Sequence, residues 1–181
     1  MKPKILAHIC CAPDAAYAIG LLQQDYNVMG FFSNSNIWPP EEYARRLEET
    51  RNVREILDFP LLTDSYSPEA WFKMTDRLKS EPERGRRCDI CYAIRLDRTA
   101  RLAIDFDLPA FTTVLSVSPQ KKADVINRIG ARLARKHGLA FLEADFKKKG
   151  GFQKSIELSR RYGLYRQNYC GCLYSRKDGP P

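Results

Sequence analysis

Neither of the glycine strings that cradle a nucleotide phosphate is present in this chain: G-x-G-x-x-G and G-x-x-x-x-G-K-[ST] are both missing. Their absence disfavours adenine-nucleotide chemistry, which relies on such a loop to bring backbone N–H groups onto phosphate oxygens. No linker or internal repeat interrupts the 181 residues, of which 44% are hydrophobic, so one domain over residues 1–181 with a substantial core is expected. The opening Met-Lys-Pro-Lys and the apolar run after it imitate a secretory leader, but Asp14 ends the run and no small-residue cleavage site follows. The segment is read as retained and the protein as cytoplasmic, with no membrane partner.

No cysteine stands alone either. The six form three tight groups, Cys10-Cys11, Cys88-Asp-Ile-Cys91 and Cys170-Gly-Cys172, which is ligand spacing and not the scatter of cysteines used as small core hydrophobes. In a reducing cytosol an even cysteine count does not imply a disulfide framework, and a chain of this length does not need one to build a core. Metal binding or thiol redox chemistry is therefore favoured. The net charge of +8 and pI near 9.2 point to an anionic partner such as nucleic acid, although a well-solvated surface accounts for the same excess.

The hydrophobic pattern alternates between strand and helix about five times. Apolar runs at Lys4–Cys10, Val28–Phe32, Pro60–Leu62, Ala110–Val117 and Leu139–Leu142 read as buried strands. Between them, Ala15, Ile19 and Leu22 mark one helix, and Tyr43, Leu47, Val53 and Leu57 a second that opens at Pro40, Glu41 and Glu42. A third is capped by Ser67 and carries Trp71, Met74 and Leu78 on one stripe; a fourth carries Ala93, Leu96, Ala100 and Ala103; a fifth carries Val125, Ile126, Ile129 and Leu133 and stops at Gly138. This pattern predicts a mainly parallel five-stranded sheet with helices on both faces, whose sites form beyond the carboxyl ends of the strands where strand order reverses.

Cys10 and Cys11 fall at such a strand end. Asp14 is placed to cap the helix that follows. Cys88 and Cys91, three apart at the start of a helix, share a face, and the nearby arginines and the helix N-terminus are expected to lower their thiol pKa. Arg45, Arg46, Arg51 and Arg54 read as the solvated face of the second helix. His137 suits the last turn of its helix as a cation, and His8 reads as a hydrogen-bonded core residue with a ligand role as the alternative. The Lys147-Lys148-Lys149-Gly150-Gly151 turn sits before a helix, where a phosphate can bind; a solvated lysine loop is the rival reading.

Three strings in order, Cys-Cys-Ala-Pro-Asp at 10–14, Lys-Lys-x-Gly-Gly-Phe ending at Phe152, and Leu-Tyr-Arg-Gln-x-Tyr-Cys-Gly-Cys at 164–172, together with Cys88-x-x-Cys91-Tyr92, resemble the epoxyqueuosine reductase family QueH over essentially the whole chain. The resemblance implies an iron–sulfur enzyme that reduces epoxyqueuosine at the anticodon wobble position of tRNA, using an external electron donor. It also implies a fold related to the HUP and PP-loop ATPases, with strand order 3-2-1-4-5. Such a [4Fe–4S] cluster takes four thiolates. The preferred partition gives it Cys10, Cys11, Cys88 and Cys91 and leaves Cys170 and Cys172 as a redox pair, with Asp14 also at the catalytic centre. The rival partition draws Cys170 or Cys172 into the cluster, or uses Asp14 and the remaining thiols for a second metal such as iron. Lys147, Lys148, Lys149 and Arg166 are the candidate tRNA contacts, and Tyr165 and Tyr169 can stack on the base or simply pack. A zinc-stapled RNA-binding module without catalysis and a cluster-dependent tRNA-thiolating enzyme are the alternatives; zinc fits four thiolates equally well, and a thiolating enzyme would want the missing phosphate loop.

Overall fold

The strand Lys4–Ile9 (β1) is buried on both sides and forms the centre of the sheet. Its side chains alternate between two cores. Ile5, Ala7 and Ile9 face one and Leu6 faces the other, which is why the run reads as continuously apolar. A computed structural model describes residues 1–175 of the chain; 176–181, the end of the expected domain span, lie outside the described residues.

Helix Ala12–Leu22 (α1) follows β1 directly. The chain then runs through Asn27–Phe32 (β2), Pro40–Leu57 (α2), Leu61–Thr63 (β3), Pro68–Thr75 (α3), Arg86–Asp105 (α4), Ala110–Thr113 (β4), Ala123–His137 (α5), Ala140–Phe141 (β5) and Gly151–Arg161 (α6). All strand pairs are parallel and the order is β3-β2-β1-β4-β5, as expected. Strand order therefore reverses between β1 and β4, and the crossover through α3 and α4 carries the chain from one edge to the far side of β1. Helices α1 and α2 and the flank of α6 cover one face around Ile19, Val53 and Phe146, while α4 and α5 cover the other around Leu96 and Ile126. α6 packs closely on α1 because Gly151 has no side chain: a Cβ there would collide with the Phe146 carbonyl and come within 2.7 Å of the Tyr17 ring.

Five local expectations need correction. The fourth strand stops at Thr113, and Val114–Val117 turns into a 3-10 helix, because the Thr113 hydroxyl accepts from the Leu115 N–H at 3.2 Å and so offers the backbone a turn. Ser67 makes no capping bond, and Met74 is half exposed while Thr75 takes the inner position. Asp14 does not cap α1: the helix begins at Ala12 with Cys11 at the cap, which leaves Asp14 inside the first turn. Arg46 is not on a solvated face but is 3% exposed. Among the described residues no helix is long and apolar enough to cross a membrane.

Candidate active site

The turn from β1 into α1 lies at the carboxyl edge of the sheet beside the switch point. There Cys10, Cys11 and Asp14 bring two sulfurs and a carboxylate oxygen within 4.8 Å of one another, a group able to hold a metal ion. The Cys10 thiol points at the Cys11 sulfur at 3.8 Å and at Asp14 Oδ2 at 3.6 Å. That hydrogen bond from Cys10, assisted by the Gln167 carboxamide and the Arg46 charge, lowers Cys11 to about 6. Cys10 itself is pushed up, as the donor to Cys11 and by burial, and burial together with the Cys11 charge raises Asp14 well above the usual carboxylate range. The trio offers an arriving cation two sulfurs and a carboxylate, and such a cation would favour loss of their protons.

The other four cysteines gather elsewhere. Cys88 and Cys91 at the start of α4 line a single small cavity of about 10 Å³ with Cys170 and Cys172; Trp71, Arg87, Tyr92, Arg95 and Lys121 complete its wall. All six cysteines are free thiols. The side-chain positions therefore group Cys88 and Cys91 with Cys170 and Cys172, and group Cys10 and Cys11 with Asp14. The loop before Cys88 is held by Arg87, which is 1% exposed and donates through Nη1 to the carbonyls of Leu78, Lys79 and Glu81. The Arg84 N–H donates to the Cys88 sulfur at 3.2 Å. Burial nevertheless raises the Cys88 thiol, against the expectation that its arginine neighbours would lower it, because those guanidiniums are spent on backbone or turned to solvent.

Cys170 differs. Burial alone would raise it, but the Lys121 ammonium at 2.8 Å, with Arg95 behind, holds this thiol below its ordinary range. Lys121 is itself buried, which would lower it, yet the Cys170 sulfur keeps it protonated. Cys172, without such a cation, is raised by burial to about 11.

The segment carrying Cys170 and Cys172 has no regular structure and is gripped by α2. Arg46 donates from Nη1 to the Cys170 carbonyl at 3.0 Å and from Nη2 to the Tyr169 carbonyl at 3.2 Å, while its Nε holds Glu42 at 2.6 Å. The Tyr169 hydroxyl donates to the Trp38 carbonyl at 2.6 Å, and the Trp38 N–H donates to the Gly171 carbonyl at 2.8 Å. Gly171 sits at φ +113°, where a side chain would be strained and its Cβ would meet Arg46 Nη1 at 2.9 Å.

A larger cavity of about 460 Å³ opens over both thiol groups, with Cys10, Asp14 and Cys170 in its wall. Its lining carries four cations, Arg46, Arg95, Lys121 and Arg166, against Asp14 and Glu83, and Phe152 offers an aromatic surface. Arg166 is braced by the buried hydroxyls of Ser155 and Ser159 at 3.5 and 3.1 Å. The lysine turn adjoins the cavity without lining it: Lys147 reaches the Lys121 carbonyl at 3.3 Å and Asp145 at 2.6 Å, and Lys148 is exposed. Tyr165 packs under Arg45 and donates to Glu42. His8 is a core residue, bonded to the Thr113 hydroxyl and the Ser33 carbonyl and lowered by burial to about 3, and His137 pairs with Asp97.

Sequence reasoning missed Arg46, Arg95, Lys121 and Gln167. Arg95 left a signal, since it lies one turn after Cys91 on the buried stripe of α4, where a charge is out of place. Lys121 left none, because its role arises from a contact with a residue 49 positions away.

Fold and site define an open parallel α/β protein with a thiol-rich centre at its switch point. Among solved structures the chain resembles the predicted subunit of tRNA methyltransferase from Methanocaldococcus jannaschii, with TM-score 0.58 and 12% identity over 84% of this chain and 76% of that one, a likeness of fold alone. The profile of the family described as epoxyqueuosine reductase QueH matches residues 5–178. Epoxyqueuosine reductase QueH of Streptococcus pyogenes serotype M1 is 36% identical, covering 98% of this chain and 72% of the relative. That of Thermotoga maritima is 36% identical, covering 94% and 89%. The chain belongs to the epoxyqueuosine reductase QueH family.

Proposed function

We propose that this protein reduces epoxyqueuosine in tRNA to queuosine, the last step of queuosine formation, and that it does so in the cytoplasm. The observation that carries the reading, beside family membership, is one cation-lined cavity in contact with two separate thiol groups. Removing the epoxide oxygen to leave an alkene takes up two electrons and two protons and releases water, so the site must combine an electron source with donors for a departing oxygen.

Cys88, Cys91, Cys170 and Cys172 are the preferred ligands of a [4Fe–4S] cluster, and Cys10, Cys11 and Asp14 those of a second iron. This departs from the partition preferred on sequence grounds, and the four-thiol cavity with buried cations in its wall supports the change. On this reading Cys170 and Cys172 are ligands and do not act as a disulfide. When bound, such a cluster supplies electrons one at a time, drawn from an external low-potential donor.

The chain's own groups do the rest. Arg166, fixed by its two serines, and Lys121, which holds its proton at Nζ, present donors to an oxygen that gains charge as its carbon bond breaks. Phe152 offers a face for the modified base, and the lysines at 147–149 beside the cavity suit the tRNA backbone.

The test is a turnover of anaerobically purified protein with tRNA carrying epoxyqueuosine and a chemical reductant, read by nucleoside mass spectrometry. Loss of one oxygen from the nucleoside is expected, with iron and acid-labile sulfide in the protein. Cys91→Ser should lose the sulfide, whereas Cys10→Ser should keep it and lose only the additional iron. A folded, colourless protein holding zinc and leaving the nucleoside unchanged would favour a zinc staple instead.

A further inference from the structure

Arg95 is a buried guanidinium with no carboxylate. Its side chain is 4% exposed, and no acidic group lies within ion-pair distance of it among the described residues. Its two hydrogen bonds are long, from Nε to the Cys91 carbonyl at 3.3 Å and from Nη1 to Asn34 Oδ1 at 3.4 Å, while Nη2 is buried without a partner. A permanent charge held out of water in this way is costly unless an anion answers it. Lys121, a second buried cation, lies close enough to repel it, and Glu83 is engaged by Lys121 at 3.7 Å.

On one side Arg95 meets the Tyr92 ring at 5.8 Å and lines a further cavity that also holds Asp64 and Asp97; toward the site its neighbours are sulfur. It lines both the four-thiol cavity and the larger cavity over Cys10, and its charge is felt by Cys91, Cys170 and Cys10. With every thiol protonated the arginine would have no counter-charge. A cluster held by four thiolates is net anionic and gains one more negative charge on reduction, so a fixed cation at its side stabilises the reduced form more than the oxidised one.

We infer that Arg95 is a positioning residue for the reaction, a built-in counter-charge between the two thiol groups that raises the reduction potential of the cluster. This rests on the cluster reading above. A purely structural role, tying the middle of α4 to the loop at Asn34, is the competing account.

The experiment is a potentiometric titration of the cluster's spectroscopic signal in anaerobically prepared protein, with iron and sulfide counted in each sample. In Arg95→Gln the cluster should be retained and its reduction equilibrium shifted at least tenfold toward the oxidised form, about 59 mV for a one-electron couple. Arg95→Lys, which keeps the charge and loses the planar fork, should stay within threefold of the wild type. Asn34→Asp keeps the side-chain size but sets a carboxylate against the guanidinium, so it should shift the potential the same way as Arg95→Gln and does not depend on that variant folding. A loaded Arg95→Gln or Asn34→Asp with the wild-type potential overturns the inference, as does an Arg95→Lys shifted as far as Arg95→Gln. A wild-type protein without iron and sulfide overturns the cluster reading itself, an outcome visible before any variant is made.

Discussion

Replacing Arg46 with methionine tests how the site is closed. The guanidinium is 3% exposed and its Glu42 partner 12% exposed at the side chain, so neither is screened as a surface pair would be. Arg46→Met removes two charge-assisted bonds to the carbonyls of Tyr169 and Cys170, each worth about 1.5–3 kcal/mol. Once the segment opens, water satisfies those carbonyls, so the lower end of the sum applies, about 3 kcal/mol, or roughly a 150-fold rise in local opening. α2 itself stays helical and Glu42 retains the Tyr165 hydroxyl, so the effect falls on residues 165–172 and much less on the sheet. Hydrogen exchange read by mass spectrometry should show lost protection in peptides covering that stretch, with faster alkylation of Cys170 in metal-free protein. If exchange there stays within twofold of the wild type, the grip assigned to Arg46 is wrong.

Three further outcomes follow from the same geometry. Lys121→Met should raise the Cys170 thiol and slow its alkylation at neutral pH in metal-free protein; an unchanged rate would remove Lys121 as the activating charge. Burial works against the Asp97 carboxylate, but hydrogen bonds from His137, Arg101 and Lys136 hold it well below the usual range, so its stabilisation is present above about pH 4 and lost as pH falls further. Asp97→Asn should therefore cost about 1 kcal/mol in urea unfolding at pH 7, with the gap to wild type narrowing progressively as pH falls below about 4; a gap that does not narrow would refute the linkage. Replacing Lys147, Lys148 and Lys149 together with alanine should weaken tRNA binding and flatten its salt slope, and unchanged values would make the turn a solvated loop.

Much of the sheet was legible because strands buried on both faces leave continuous apolar runs, and the helices between them carry stripes such as Leu96, Ala100 and Ala103. The run Ala110–Val117 misled because β-branched residues satisfy a strand and a tight 3-10 turn alike; the deciding Thr113 hydroxyl bond is a local competitor that periodicity does not register. At the site, the cysteines announced themselves by spacing, but spacing says nothing about which pairs meet. That depends on where an irregular segment after the last helix is laid, and the residue that lays it, Arg46, looks like any other arginine on a charged helix. Its burial is created by a partner some 124 positions further on.

The placement of Cys170 and Cys172 after every strand has a consequence for biogenesis. As the polypeptide leaves the ribosome, all five strands and the turn at Cys10 are available before these two sulfurs emerge, so the scaffold can set while half of one thiol group is still missing. The final stretch then lies across a finished edge like a latch, held by α2. On the proposed cluster reading, iron and sulfide would enter an open vestibule and be sealed in afterwards, without unfolding the sheet.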